Sequence, residues 1–152
     1  MNAKSPFPRA FFLMLALVAS VPLVFAHSGA MGPTKERMDA MGETKAHLKS
    51  LRAATTGNEV DAAAAQKALD ELNAFAEELP ALFDERHLPD VSEARAKIWD
   101  QPEQFEDEIR FFSQKLEEAR AQLDEDPAQV LRTVAAGCGS CHDDFRRNKK
   151  SE

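Results

Sequence analysis

Tyrosine is absent from this chain, tryptophan occurs once, and β-branched residues are few beyond residue 26. Aromatic and β-branched residues favour strands, so their scarcity argues against a β-sheet protein. The same stretch is rich in alanine, glutamate, lysine, leucine and glutamine, which favour helices. No internal repeat stands out. The composition therefore predicts a single all-α domain.

The start of the chain has the pattern of a secretory signal peptide. Two basic residues are followed by an almost wholly apolar stretch at 10–25 and a small-x-small cleavage sequence that ends at Ala26. The apolar stretch is too short for a membrane anchor, and Pro22 interrupts it. We therefore predict that residues 1–26 are removed on export to the periplasm and that residues 27–152 form the mature domain.

Positive charge is scarce in the mature domain. Cleavage removes Lys4 and Arg9 but no acidic residue, which leaves 17 basic residues against 26 acidic ones and a formal charge of −9. A nucleic-acid-binding protein needs basic residues to neutralise phosphates. The charge balance therefore argues against nucleic acid as a partner.

The sequence shows no set of residues suited to acid–base or nucleophilic catalysis. Its carboxylates lie mostly on the polar faces of predicted helices, where a solvated surface is the default. His27, His47 and His87 are scattered, and we expect His47 and His87 to be exposed. We therefore expect a protein that is not an enzyme.

Only two cysteines are present, and both stand in Cys138-Gly139-Ser140-Cys141-His142, a C-x-x-C-H haem-attachment sequence. Residues three apart share one face of a helix, so both thiols can reach the two vinyl groups along one porphyrin edge and form thioethers. The adjacent His142 is then placed to bind the iron as proximal ligand. The sequence thus predicts one covalently attached haem c.

Two other uses of this cysteine pair are less favoured. In an oxidising periplasm a thiol pair must be a disulfide, a catalytic redox pair or chemically modified. A thioredoxin-like site follows a strand, and no alternating strand precedes Cys138. A zinc site usually needs four ligands, whereas the other histidines are scattered. A haem-free dithiol–disulfide protein is therefore kept as the third hypothesis.

The first two predicted helices are joined by a short turn. One spans residues 33–55, and the next begins near Asn58, which can cap it, and ends at Leu79 because Pro80 stops or kinks it. The first apolar stripe contains Met38, Met41, Leu48, Leu51 and Thr55, and the second contains Val60, Ala64, Ala68, Leu72, Phe75 and Leu79.

Two further helices complete the predicted fold. Residues 81–101 are interpreted as a loop anchored by Ile98 and Trp99. The next helix carries a heptad seam of Phe105, Ile109, Phe112, Leu116, Ala119 and Leu123. The last helix begins at Asp126-Pro127 and places Val130, Val134, Cys138, Cys141 and Phe145 on its inward face. These patterns predict an antiparallel, up-down-up-down four-helix bundle.

Four segments, in this order and spacing, resemble the motifs of the class II cytochromes c, the cytochrome c′ family. They are Lys35 to Met41, Leu79 to Phe83, Ile98-Trp99 with Phe105, and Cys138 to Arg146. Haem attachment this close to the C-terminus is typical of the family, and the resemblance covers essentially the whole mature chain.

The resemblance implies a role for each matching residue. Cys138 and Cys141 match the thioether cysteines, and His142 matches the proximal ligand. Arg37 matches an arginine near a haem propionate, and Arg146 matches a basic residue on the proximal side.

Met41 matches the distal position, where two branches of the family differ. In the low-spin branch a methionine thioether binds the iron, and the protein carries electrons. In the high-spin branch an apolar side chain leaves the iron five-coordinate, and it binds NO or CO. The stretch from Lys35 to Met41 looks closer to the low-spin branch. We expect a periplasmic electron carrier that meets redox proteins, as a monomer or as a homodimer through the first two helices; the gas-binding protein is the alternative.

Overall fold

The computed structural model describes residues 29–57 and 59–147. The predicted signal peptide, His27 and the expected capping residue Asn58 lie outside these ranges. The described part of the chain forms helices α1 Pro33–Thr55, α2 Ala62–Leu82, α3 Lys97–Asp100, α4 Pro102–Glu125 and α5 Pro127–Phe145. The four long helices form the predicted bundle, in which α1 packs on α2 and α4 packs on α5. None of the described helices is long and apolar enough to cross a membrane.

The heptad seam of α4 is confirmed at every position. All six of its members are buried, and they are Phe105, Ile109, Phe112, Leu116, Ala119 and Leu123. Helix α5 also begins at Pro127 as predicted and buries Val130, Val134 and Phe145. Burying this much apolar surface stabilises the pairing of the two helices by several kcal/mol, at roughly 25 cal/mol per Å².

Helix α2 begins later and ends later than the sequence predicts. Asp61 is its N-cap, because the Asp61 side chain accepts a hydrogen bond of 2.9 Å from the amide of Ala64. The prediction that Val60 lies on the buried face is therefore wrong, since Val60 precedes the helix and is 39% exposed. Pro80 does not end the helix, which continues to Leu82.

The predicted loop 81–101 is shorter in the structure, because its first residues belong to α2 and its last ones form α3. Its two expected anchors are confirmed. Ile98 is buried, and the indole Nε1 of Trp99 donates a hydrogen bond of 2.8 Å to the carbonyl of Phe83. This loop therefore returns the chain across the bundle while remaining attached to the end of α2.

Helices α4 and α5 pack closely at Gly137. A Cβ atom at this position would lie 2.9 Å from Cδ2 of Phe112, 3.2 Å from its Cα and 3.3 Å from Cβ of Lys115. The first of these distances is shorter than van der Waals contact, so a larger residue would push the helices apart. Gly137 directly precedes Cys138 and therefore sets how deeply this cysteine sits in the bundle.

We predict that Gly137→Ala lowers the free energy of unfolding by about 1–3 kcal/mol, because overpacking forces α4 and α5 apart. Gly139→Ala is the matched control, since a Cβ atom at Gly139 would meet nothing within 4 Å. In a helix this control should gain up to about 1 kcal/mol. Urea unfolding followed by circular dichroism measures both changes. Equal stability of the two variants would contradict the close contact at Gly137.

Candidate functional site

A cavity of about 410 Å³ lies inside the bundle, and we call it the central cavity. Its size is within the range of about 300–1,000 Å³ found for ligand and cofactor sites. Helices α1, α2, α4 and α5 and the loop before α3 form its wall. Most of the wall is apolar, with side chains that include Leu48, Leu72, Phe75, Leu79, Phe83, Ile98, Phe105, Ile109 and Phe112.

The structure brings all six residues of the predicted site to this cavity. They are Arg37 and Met41 from α1, Cys138, Cys141 and His142 from α5, and Arg146 at the end of α5. Residues from the two ends of the mature chain thus meet because α1 and α5 are neighbours in the bundle.

The two cysteines are free and half-buried on the inward side of α5. Burial raises the pKa of Cys138. Burial also raises the pKa of Cys141 to about 12, and the nearby Glu108, Cys138 and Asp144 add to this effect. Reactive redox dithiols have a lowered thiol pKa, so these neutral thiols do not favour the dithiol–disulfide hypothesis.

His142 follows Cys141 on α5 and is half-buried at the wall of the central cavity. Burial lowers the pKa of His142, and the guanidinium of Arg146 lowers it further, while Asp143 and Glu93 oppose the shift. The imidazole is therefore held neutral near physiological pH. A neutral imidazole has the free nitrogen lone pair that a metal ligand needs.

A loop segment closes the bundle beside His142. Both Nε and Nη2 of Arg146 donate to Oε2 of Glu93, at 2.8 and 2.6 Å. The backbone also pairs here, since the amide of Arg95 donates to the carbonyl of Phe145 at 2.9 Å and the amide of Arg147 donates to that of Glu93 at 2.7 Å. The sequence reasoning missed Glu93, because the loop has no periodicity that would place it.

Met41 approaches the central cavity from α1. Its side chain is half-buried and packs against the core, and its carbonyl accepts a hydrogen bond of 2.8 Å from Oγ1 of Thr44. Met38 lies one turn earlier and lines the same cavity. Met41 on α1 and His142 on α5 therefore line the same cavity.

Arg37 has a structural role that the sequence did not predict. Its guanidinium is 5% exposed and donates to three carbonyls, at 2.6 Å to Leu82, at 3.0 Å to His87 and also to Glu85. The guanidinium carbon lies 5.0 Å from the ring centre of Phe83. Burial lowers the pKa of Arg37. Arg37 thus ties the end of α2 and the following loop to α1, and its contact with a propionate stays a prediction.

His87 is not exposed as expected. It is half-buried, and its Nδ1 lies 2.9 Å from Oγ1 of the buried Thr34. His47 is also half-buried rather than exposed. The loop pattern could not show this, because the burial of His87 depends on contacts with α1.

Glu108 is a second residue that the sequence reasoning missed. It lines the central cavity from α4, although it was grouped with carboxylates on polar helix faces. A helical spacing signal was present, since Glu108 lies three residues after Phe105 and four before Phe112. A carboxylate is therefore part of the inward face of α4.

The residues of the central cavity fit a covalently attached haem. Two neutral thiols on one helix face, a neutral imidazole beside them and an apolar wall match the cysteine attachment and histidine ligation of haem proteins. Met41 lines the same cavity, and its thioether is a type of donor that haem iron accepts.

Comparison with known proteins agrees with this chemistry. Residues 32–146 match the family described as Cytochrome C'. Cytochrome c-556 of Agrobacterium tumefaciens (strain apple 185) is 33% identical over 92 residues, which cover 59% of this chain and 73% of that protein.

Two solved structures are similar in fold. One is a cytochrome c' with an unusual ligand-controlled dimer dissociation, with a TM-score of 0.64 and 18% identity over 78% of this chain and 99% of that one. The other is the nitric oxide complex of a mutant cytochrome c prime from Alcaligenes xylosoxidans, with a TM-score of 0.62 and 22% identity over 77% of this chain and 94% of that one.

We predict that Arg37→Lys lowers the free energy of unfolding by about 2–3 kcal/mol, because a lysine cannot reproduce the planar fork and buried carbonyls lose their donors. Lys35→Gln is the control on the same helix, since it removes only an exposed ion pair with Asp39 and should cost under about 1 kcal/mol. Urea unfolding of the haem-loaded protein measures both. The anchoring role would be wrong if the two variants unfolded at the same urea concentration.

Proposed function

The chain belongs to the cytochrome c′ family of haem c-type cytochromes, and on this premise we propose that it is a periplasmic electron carrier with one haem c. In this proposal Cys138 and Cys141 hold the haem, while His142 and Met41 bind its iron. The observation that carries the proposal is that Met41 and His142 line the same cavity from two helices, α1 and α5.

The arrangement of α5 supports covalent attachment. Cys138 and Cys141 are three residues apart in one helix, so their thiols face the central cavity together. Both are neutral and half-buried, which suits thiols that are consumed in forming thioethers rather than used for disulfide exchange. The haem-free dithiol hypothesis therefore has less support than the cytochrome.

His142 is prepared to act as the proximal ligand. Its ring is neutral, and it belongs to the last turn of α5, which the loop at Glu93 and Arg95 holds in place. Hydrogen-bonded residues around a ligand orient it and tune its basicity. Arg146 on the proximal side and Arg37, as a propionate partner, complete the set of residues that we propose to contact the haem.

Met41 decides which activity the site supports. The haem iron supplies a one-electron ferric–ferrous couple when it is bound. A thioether from Met41 would stabilise the ferrous form and fill the sixth position in both oxidation states. Because Met41 is part of the 23-residue helix α1, its position is fixed by the bundle, which keeps reorganisation on electron transfer small.

A second candidate is a gas-binding cytochrome with five-coordinate haem iron. The apolar wall of the central cavity favours it, because small uncharged molecules such as NO and CO enter such a space readily. The nitric oxide complex of the Alcaligenes xylosoxidans protein also supports it. In this version Met41 packs over the iron without binding it. Neither candidate needs a catalytic group, so we propose no enzymatic reaction.

We propose that the protein is exported by a signal peptide at residues 1–26, cleaved after Ala26, and exchanges electrons with redox proteins of the periplasm. A homodimer through α1 and α2 is the assembly that the chain allows. Ala62 and Ala63 at the start of α2 are exposed and small, so another helix could approach closely there. One structural relative is described with a ligand-controlled dimer dissociation, which supports a dimer. A monomer is the other assembly that the sequence predicts.

We predict that protein purified from the periplasm carries haem c that stays attached after denaturation, because thioethers resist unfolding. A pyridine haemochrome spectrum of the denatured protein measures it. The double variant Cys138→Ser with Cys141→Ser should lose all covalent haem. Wild-type protein without covalent haem would contradict both cytochrome candidates.

We predict that the wild-type protein has low-spin optical spectra that do not change with CO, and that Met41→Ala becomes high-spin and binds CO because the sixth position opens. Met38→Ala is the matched control, since Met38 lines the same cavity one turn earlier and should leave the spectrum low-spin. Spectra of the oxidised and reduced proteins with and without CO measure this. Wild-type spectra that are already high-spin and shift with CO would favour the gas-binding candidate.

A further inference from the structure

Glu108 places a carboxylate in the wall of the central cavity. Its neighbours on the inward face of α4 are Phe105, Ile109 and Phe112, which are all apolar and buried. The Oε2 atom of Glu108 is buried and has no hydrogen-bond partner among the described residues. A buried oxygen without a hydrogen-bond partner costs free energy, which suggests that Glu108 has a role other than stabilising the fold.

The carboxylate of Asp144, which also lies near the cysteines in sequence, has polar partners. Asp144 accepts a hydrogen bond of 2.8 Å from Nε2 of Gln104, and its other oxygen lies 3.1 Å from Nζ of Lys97. Glu108 and Cys141 both line the central cavity. The charge of Asp144 is therefore compensated, whereas Oε2 of Glu108 has no partner among the described residues.

None of the other charged residues that the structure describes in the cavity wall is paired with Glu108. Arg37 uses its donors on backbone carbonyls, and Arg146 is paired with Glu93. Lys45 on α1 is exposed, so water screens its charge. The Oε2 atom of Glu108 is buried, so water screens it far less and its field acts over a longer distance.

We infer that Glu108 lowers the reduction potential of the haem: its carboxylate, which lines the same cavity as Cys141 and has a buried, unpartnered oxygen, stabilises the ferric form. The physical reason is that the oxidised haem carries one more positive charge than the reduced haem. Reduction adds one electron from a redox partner and breaks no bond. This inference rests on the proposed attachment of haem at Cys138 and Cys141. It assigns to Glu108 an effect opposite in sign to that of a Met41 thioether.

The test is a spectroelectrochemical titration of the haem-loaded protein and two single variants at neutral pH. Glu108→Gln removes the charge and keeps the size of the side chain. Glu106→Gln removes the same charge from an exposed position of α4 that does not line the cavity. We expect Glu108→Gln to favour the ferrous form about tenfold, an upward shift of about 59 mV for a one-electron couple. Glu106→Gln should shift the potential much less.

A second variant keeps the test decisive if Glu108→Gln accumulates poorly. Glu108→Leu replaces the unpartnered carboxylate with a side chain that suits the apolar wall, so it should fold and shift the potential upward as well. Melting temperature separates the two roles, because a merely structural Glu108 would change stability and leave the potential unaltered. The inference would be overturned if haem-loaded Glu108→Gln and Glu108→Leu had the same reduction potential as Glu106→Gln. Wild-type protein without covalent haem would overturn the proposed function and this role together.

Discussion

The close contact between α4 and α5 at Gly137 is the constraint on which the site depends. Because no side chain separates the helices there, α5 lies directly against Phe112 and Lys115. The next residue, Cys138, and its partner Cys141 are thereby turned toward the central cavity at half-buried depth. A residue larger than Gly137 would shift Cys138 and Cys141 relative to α1. The distance between the two proposed iron ligands, Met41 and His142, would then change.

Three sides of the central cavity differ in the charge that their side chains carry. On the proximal side, Arg146 and Glu93 neutralise each other next to His142. On the α4 side, Glu108 has a buried oxygen without a partner among the described residues and lines the same cavity as Cys141. On the α1 side, Met41 offers a polarisable but uncharged sulfur.

Features that repeat along the chain could be predicted from the sequence. The α4 seam, the Asp126-Pro127 start of α5 and the inward cysteines follow from helical spacing and local end signals, and the structure agrees with all three. The sequence does not identify the first residue of α2, because asparagine and aspartate are both good N-caps and local sequence does not select Asp61 over Asn58.

Contacts between distant segments could not be predicted from the sequence either. The carbonyls that Arg37 binds lie 45 to 50 residues away in the chain, and nothing in their local sequence marks them as its partners. The same holds for the pair Glu93 and Arg146, which are separated by 53 residues. Glu108 differs, since its spacing from Phe105 and Phe112 was readable, but charged residues at such positions are usually assigned to the solvent.

The pairing of the loop with the end of α5 has a consequence for how the protein opens. The last turn of a helix normally frays on its own at little free-energy cost. Here the carbonyl of Phe145 and the amide of Arg147 are both bonded to the loop, three and five residues beyond His142. The turn that carries His142 can therefore unwind only if the loop leaves with it. Movement of His142, the proposed iron ligand, is thereby joined to a larger cooperative unit.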